Sequence, residues 1–343
     1  MKPNMGLILP TGFKMDLPRD SPYDEIARVA VLAEELGYQY LWSFDHLLTF
    51  PDPTYKILEP WSVISALARD TKKVRLGTLV TCVAFRNPGL LAKIVTTVDL
   101  ISKGRVDVGI GAGWWQPEFE QFGFQTFSAR VALFEEYIQI LDGLLSGQEV
   151  TFNGQFFKIS RAKINPPPIQ KPSIPIWVGA TRPKMLRIVA RYAKRWNMRG
   201  TPEYYNEEKD LISRNLKKQG RSAADLVDSI YVLVALASSK EQAKEIASSI
   251  YDRGQRLPMS QRIRNATEDP GLVLSYLGRK TGISAARRID DPAASDVIGS
   301  ADECVSKLSR YVDLGVGNLF VYLVGCDKPG TLETFTDKVV TKL

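Results

Sequence analysis

Val74-Arg75-Leu76-Gly77-Thr78-Leu79-Val80-Thr81, the amphipathic stretch Asn87 to Ser102, and Arg105-Val106-Asp107-Val108-Gly109-Ile110 decide the fold. Two short β-rich runs flank one helical pattern, which is the signature of a strand–helix–strand unit. Working outward, the same alternation recurs on both sides. Toward the N-terminus lies a strand at Gly6 to Leu9, closed by Pro10. Ser21 then reads as an N-cap, with Pro22 at the first helical position and Asp24 at the capping-box position. Ile26, Val29, Ala30, Ala33 and Leu36 follow at helical spacing, and Gly37 suits a left-handed C-terminal cap. A strand at Tyr38 to Phe44 and a helix at Pro60 to Arg69 lead into the deciding stretch.

Toward the C-terminus the pattern predicts helix Ala129 to Leu145, strand Ile176 to Val178, helix Pro183 to Ala193 and a short strand around Trp196-Asn197-Met198. Helix Pro202 to Lys218, strand Ile230 to Leu236, helices Lys240 to Ser249 and Ala301 to Leu314, and strand Asn318 to Val324 complete the count. Eight β/α units in 343 residues predict an α/β protein. Its expected architecture is a (β/α)8 TIM barrel with insertions, in one domain over 1–343. A doubly wound sheet is the other arrangement that periodicity allows. The insertions fall near 114–127, 149–165 and 251–297. Within the second, Val150 to Ile159 reads as a hairpin turning at Asn153-Gly154.

Composition narrows the chemistry. Lys and Arg total 45 against 38 Asp and Glu, a net charge of +7, but the basic residues are interleaved with acids. No basic tail or aromatic-basic block marks a nucleic-acid binder, so an anionic small ligand is the better match to the surplus. Cys82, Cys304 and Cys326 form no C-x-x-C pair, and no apolar run approaches the ~20 residues of a membrane span. The chain therefore reads as cytoplasmic, with no membrane partner and no metal site. Its single histidine, His46, excludes zinc sites that need two.

That histidine stands where parallel α/β folds gather function, at the C-terminal end of a strand, in Trp42-Ser43-Phe44-Asp45-His46. Asp45 is the adjacent carboxylate able to orient the imidazole for acid–base work. The alternative is that His46 merely packs on Trp42 or caps a turn. Gly109-Ile110-Gly111-Ala112-Gly113-Trp114-Trp115-Gln116-Pro117-Glu118 is not a dinucleotide fingerprint. Trp114 breaks the G-x-G-x-x-G spacing, and Pro117 is expected to obstruct an immediate helix. The glycines are expected to bare the backbone for a flat ligand, with Trp114 and Trp115 walling a pocket. At Gly179-Ala180-Thr181 a strand ends just before a helix, whose first N–H groups suit a phosphate. Lys184, Arg187, Arg191 and Arg195 are expected to make one basic, solvated stripe on that helix.

Several motifs together resemble the bacterial luciferase-like family: Leu76-Gly77-Thr78, Asn87-Pro88, Leu91-Ala92-Lys93, Asp99, Gly104-Arg105-Val106 and Gly109 to Trp114. Ala190-Arg191-Tyr192-Ala193, Trp196-Asn197, and Ile298-Gly299-Ser300 with Cys304-Val305 extend the resemblance over nearly the whole chain except Tyr251 to Val297. It implies a TIM barrel that binds FMN or coenzyme F420, a deazaflavin. Asp45-His46, Gly113-Trp114, Pro117-Glu118 and Phe122-Gly123 look most like the F420-dependent oxidoreductase branch. The resemblance implies Asp45 and His46 beside the ring, Thr78, Leu79 and Val80 on its other face, and Gly111 and Gly113 flanking it. Gly179, Ala180 and Thr181 would take the phosphate end, and a non-proline cis peptide is expected between Leu79 and Val80. Trp42, Trp114, Trp115 and Glu118 are the expected substrate pocket, although many relatives have Trp-Asn-Glu where this chain has Trp114-Trp115-Gln116. The implied activity is hydride transfer between F420 and a small organic substrate, in a homodimer. An FMN-dependent monooxygenase served by a separate reductase, and a catalytically silent flavin binder, are the alternatives.

Overall fold

Prolines and short polar caps start the helices. Pro22, Pro60, Pro88, Pro183 and Pro202 open α1 (Pro22–Glu35), α2 (Pro60–Asp70), α3 (Pro88–Ser102), α6 (Pro183–Tyr192) and α7 (Pro202–Lys218). A first-turn N–H has no intrahelical acceptor, so proline loses nothing there. Glu59 caps α2 through the amides of Trp61 and Ser62, Asn87 caps α3 through Gly89, and Thr201 caps α7 through Tyr204. α4 (Gln116–Gln121), α5 (Arg130–Leu145), α8 (Lys240–Tyr251), α9 (Ala301–Asp313) and α10 (Thr331–Lys338) complete the α-helices of the described residues. Those residues, in this computed structural model, are 2–12, 22–48, 56–124, 126–251 and 295–343. The Ser21 cap and nearly all of the 251–297 insertion lie outside them.

The strands are β1 (Asn4–Ile8), β2 (Tyr40–Ser43), β3 (Arg75–Cys82), β4 (Val106–Gly111), β5 (Val150–Asn153), β6 (Lys158–Ala162), β7 (Ile176–Gly179), β8 (Arg195–Arg199), β9 (Val227–Leu236), β10 (Val297–Gly299) and β11 (Asn318–Leu323). Eight of them run parallel in the order β1-β2-β3-β4-β7-β8-β9-β11, and β11 pairs back onto β1, closing the barrel. These eight are the strands the periodicity locates. β10 pairs with Val234 to Leu236 at the upper end of β9, above the β8–β9 pairing, and β5 and β6 form a separate antiparallel ribbon.

Side-chain alternation sorts each barrel strand into an outer and an inner face. Leu7, Leu41, Val108, Val178, Met198, Val232 and Val321 join the helices in one outer core. Tyr40, Trp42, Trp177, Leu233, Phe320 and Tyr322 fill the barrel itself. The interior takes such large rings because small residues face them. A Cβ on Gly6 would come within 2.5 Å of Phe320, and one on Gly77 within 2.6 Å of Trp42. The barrel is thus plugged below, and any ligand site must lie at its rim.

Several expectations change. Pro117 does not obstruct a helix; it lies in the first turn of α4, where proline is tolerated. Arg195 leaves the basic stripe, because α6 ends at Tyr192 and Arg195 begins β8, its guanidinium 5.2 Å from the centroid of Trp177. Lys184, Arg187 and Arg191 are exposed as expected. The hairpin is present, but its second strand runs on to Ala162, and Glu136 holds the loop through the amides of Gln155, Phe156 and Phe157. β10 and α10 were not anticipated.

Candidate active site

The chain leaves β2 at the C-terminal rim of the barrel and immediately delivers Asp45 and His46. His46 Nδ1 lies 3.1 and 3.0 Å from the two carboxylate oxygens of Glu118, which enters from α4. Glu118 Oε1 also accepts the backbone N–H groups of Leu47 at 2.6 Å and Leu48 at 3.2 Å. One nearly buried carboxylate therefore fixes both the ring and the loop that follows it. The His46 ring sits edge-on to Trp114, with centroids 5.7 Å apart, and Trp114 stacks on Trp115 at 6.3 Å.

Asp45 takes a different course from the one expected of it. Its Oδ2 accepts from Arg86 Nη1 at 2.5 Å and from the Cys82 amide at 3.0 Å, while Oδ1 accepts from Arg86 Nη2 at 3.0 Å. The carboxylate hydrogen-bonded to the imidazole is thus Glu118, and Asp45 is tied to β3 and the loop beyond it. Successive side chains on an extended segment point to opposite sides, so sequence adjacency did not give contact. Burial pushes the Asp45 carboxyl upward, opposed by the Arg86 guanidinium and the Cys82 amide. Arg86 reaches on to Glu59 at 2.6 Å. Burial also raises Glu59, but the Ser62 hydroxyl and amide, together with Arg86, outweigh it and hold Glu59 below the usual carboxylate range. Arg86 and Glu59 were missed; the only sequence signal was their placement just before Asn87-Pro88 and Pro60.

The floor of the rim is the bend in β3. Its pairing with β4 shifts between Thr78 and Thr81, and the Leu79–Val80 peptide is cis, where the resemblance placed it. Val80 turns inward over three glycines of neighbouring strands. A Cβ on Gly111 would meet Val80 at 2.5 Å and one on Gly179 at 3.1 Å, whereas one on Gly109 would first strike the Thr78 carbonyl oxygen at 2.1 Å. Gly113 has φ +82°, and a Cβ there would strike Phe119 and Cys82. At these positions glycine makes room for the protein's own atoms: side chains at Gly111, Gly113 and Gly179, and the Thr78 carbonyl at Gly109. Thr78 is fully buried, its hydroxyl 2.8 Å from that of Thr81 and 3.0 Å from the Gly109 carbonyl.

Around this floor the apolar side chains Val80, Trp114, Tyr231, Ile57 and Val324 are only partly buried, whereas Leu79 beneath them is buried. Ala180 and Thr181 follow β7 on the same rim, and the first turn of α6 behind them has no side-chain cap. Partly buried apolar side chains, an uncapped helix start and exposed Arg182 and Lys184 are the kinds of groups that a flat ring carrying an anionic tail would need. Trp42 belongs to the plug beneath, fully buried against Trp177 and Phe320, and offers no surface at the rim. Trp115 is also buried, leaving Trp114 as the indole at the rim. Glu118, expected in the pocket wall, is spent on His46 and its loop.

A family model described as luciferase-like monooxygenase matches residues 4–318. The chain is 26% identical to the 5,10-methylenetetrahydromethanopterin reductase of Archaeoglobus fulgidus, over 96% of this chain and 99% of that one. It is 28% identical to the F420-dependent glucose-6-phosphate dehydrogenase of Microbacterium testaceum, over 99% and 98%. Among solved structures, an F420-dependent secondary alcohol dehydrogenase superposes with a TM-score of 0.76 at 16% identity, covering 100% of this chain and 98% of the other. A monooxygenase of Streptomyces bottropensis superposes with a TM-score of 0.74 at 21% identity, covering 99% of each chain.

Proposed function

The chain belongs to the luciferase-like monooxygenase family of flavin- or deazaflavin-dependent oxidoreductases, and from that premise we propose that it is an F420-dependent oxidoreductase acting on a small organic substrate. When bound, the deazaflavin would supply the hydride chemistry. The observation that carries the reading is the His46–Glu118 pair at the rim of the barrel. With Nδ1–H donated to Glu118, the neutral ring keeps its lone pair on Nε2. Nε2 then takes or returns the proton of the substrate oxygen while the carbon changes oxidation state.

The other residues position. Asp45 and Arg86 pin the end of β2 against the loop after β3, which fixes where His46 leaves the barrel. Val80 and Leu79 would support the ring from below, Gly111 and Gly113 would border it, and Gly179, Ala180 and Thr181 would receive the phosphate. Trp114 would shield the reacting atoms from water. Identities of 26–28% to two relatives over nearly the full chain support the deazaflavin over FMN, since one of them is an F420-dependent glucose-6-phosphate dehydrogenase. Residues 1–343 would form one domain, working as a cytoplasmic homodimer.

Titration of the purified protein with F420 and with FMN, followed by ring absorbance or fluorescence, tests the coenzyme. Tighter binding of F420 is expected; a preference for FMN overturns the choice and favours a monooxygenase served by a separate reductase. Binding without turnover across alcohols, aldehydes and enones would mark a silent binder instead.

A further inference from the structure

Trp115 is buried, and its indole stands edge-on to His46, with ring centroids 6.5 Å apart and planes at 67°. Trp114 meets the same imidazole at 79° and 5.7 Å, and the two indoles stack within 25° of parallel. His46 therefore lies against a pair of indoles, with only 13% of its side chain exposed.

Trp115 is also the N-cap residue of α4, where an indole has no acceptor to offer the first-turn amides. Its carbonyl accepts the Glu118 N–H at 3.2 Å, closing the turn that brings the two residues to one side. In a capping box the N3 glutamate reaches back to the N-cap amide. Here Glu118 reaches out instead, to His46 Nδ1 and the amides of Leu47 and Leu48. One helical turn thus holds the imidazole twice, by a carboxylate at Nδ1 and by an indole beside the ring. The turn is seated by buried Phe119, whose ring lies 5.5 Å from Phe85 and 5.0 Å from Phe127.

The two contacts constrain different motions. A hydrogen bond at Nδ1 fixes one ring atom and the tautomer, but it does not by itself stop the imidazole turning about the line from Nδ1 to the carboxylate. Such a turn drives a ring edge into the indoles, and a close-packed interior resists it. The orientation matters because Nε2 must face the reacting atom, and a misplacement of ~1 Å can cost ~10²-fold in rate. We propose that Trp115 is a positioning residue that acts through His46, holding the imidazole plane so that Nε2 faces the substrate oxygen. The inference rests on the reading of His46 as the acid–base group.

The chain has a single histidine, so isotope-labelled histidine gives one imidazole spectrum, and no coenzyme has to be bound to record it. The wild-type ring is expected to show Overhauser contacts to the Trp115 indole and an order parameter of ~0.85, that of rigid backbone. Trp115→Leu should lower the order parameter below ~0.6, and Trp115→Phe, which keeps a smaller flat ring, should lie between. In steady-state turnover Trp115→Leu should reduce kcat ~10–10²-fold with coenzyme affinity nearly unchanged. Added to His46→Asn it should cost little more, since a residue acting through the imidazole then has nothing to act on. A wild-type ring that is already mobile, or that lacks the contacts to Trp115, overturns the inference. So does an unchanged order parameter in Trp115→Leu or, should that variant not fold, in Trp115→Phe. A full additional loss of turnover in the His46→Asn background overturns it as well, assigning Trp115 to the fold alone. If neither F420 nor FMN binds while the ring loosens in the variants, the coenzyme reading falls and the hold of Trp115 on His46 stands. If the coenzyme binds and turns over while ring motion and kcat ignore residue 115, the inference falls and the coenzyme reading stands.

Discussion

His46 is held through Nδ1 at 3.0 and 3.1 Å by a carboxylate that also gathers two backbone amides, so the two residues have separable effects. Replacing His46 by Asn removes the proton-transfer atom and leaves the loop anchored. Turnover is expected to fall ~10²–10⁴-fold with F420 affinity nearly unchanged, measured by steady-state kinetics beside a binding titration. Near-wild-type turnover would remove His46 from the mechanism. Glu118→Gln offers the ring either an acceptor or a donor, so it loosens the tautomer that places the lone pair on Nε2. Its kcat is expected to drop at least ~10-fold, with a small change in coenzyme affinity. His46 was legible because it follows directly on a strand, at the end where parallel α/β folds place their chemistry. Its partner was not, since Glu118 is 72 residues away along the chain, and only folding brings α4 over the end of β2.

Helices and strands were legible where local chemistry marks them. Proline in the first turn, Asn87 before Pro88 and Gly37 with φ +85° each announce a boundary. β10, with three residues, is too short to show a period, and α10 begins after Gly330 without a side-chain cap. Some braces between elements are equally silent in sequence. Glu34 in α1 accepts the amides of Lys72, Lys73 and Val74 and so fixes the turn from α2 into β3. Burial pushes the Glu34 carboxyl up, but these amides outweigh it and leave it below the ordinary glutamate value. The folded protein therefore binds this proton less readily than the unfolded chain does. The stabilisation is complete above the unfolded pKa of ~4.3 and is lost as pH falls through the lower folded value. Glu34→Gln should cost about 1–2 kcal/mol at neutral pH in denaturant melts, and the gap to wild type should narrow as the pH drops below ~4. A gap independent of pH would show that the carboxylate charge contributes nothing.

Across the whole molecule, periodicity supplied eight units but could not distinguish a closed ring from an open sheet, because closure depends on pairing between β11 and β1. The plug that fills the ring was hidden for the same reason: Trp42, Trp177 and Phe320 come from three separate strands. Trp42→Ala should destabilise the fold by ~3–5 kcal/mol, read as a lowered midpoint in urea. Trp42→Phe should cost much less, since the buried Trp42 Nε1 has no hydrogen-bond partner among the described residues to lose. Val80 has a further consequence for how such a chain can change. Its side chain occupies space vacated by Gly111 of β4 and Gly179 of β7, so three positions on three strands share one volume, while Gly109 beside them clears the Thr78 carbonyl. They must be inherited together. Gly111→Ala alone should cost about 1–3 kcal/mol, and Val80→Ala added to it should restore part of that loss rather than deepen it. A barrel rim built this way accepts compensated pairs more readily than single substitutions, and its path to a differently shaped ring site passes through residue 80.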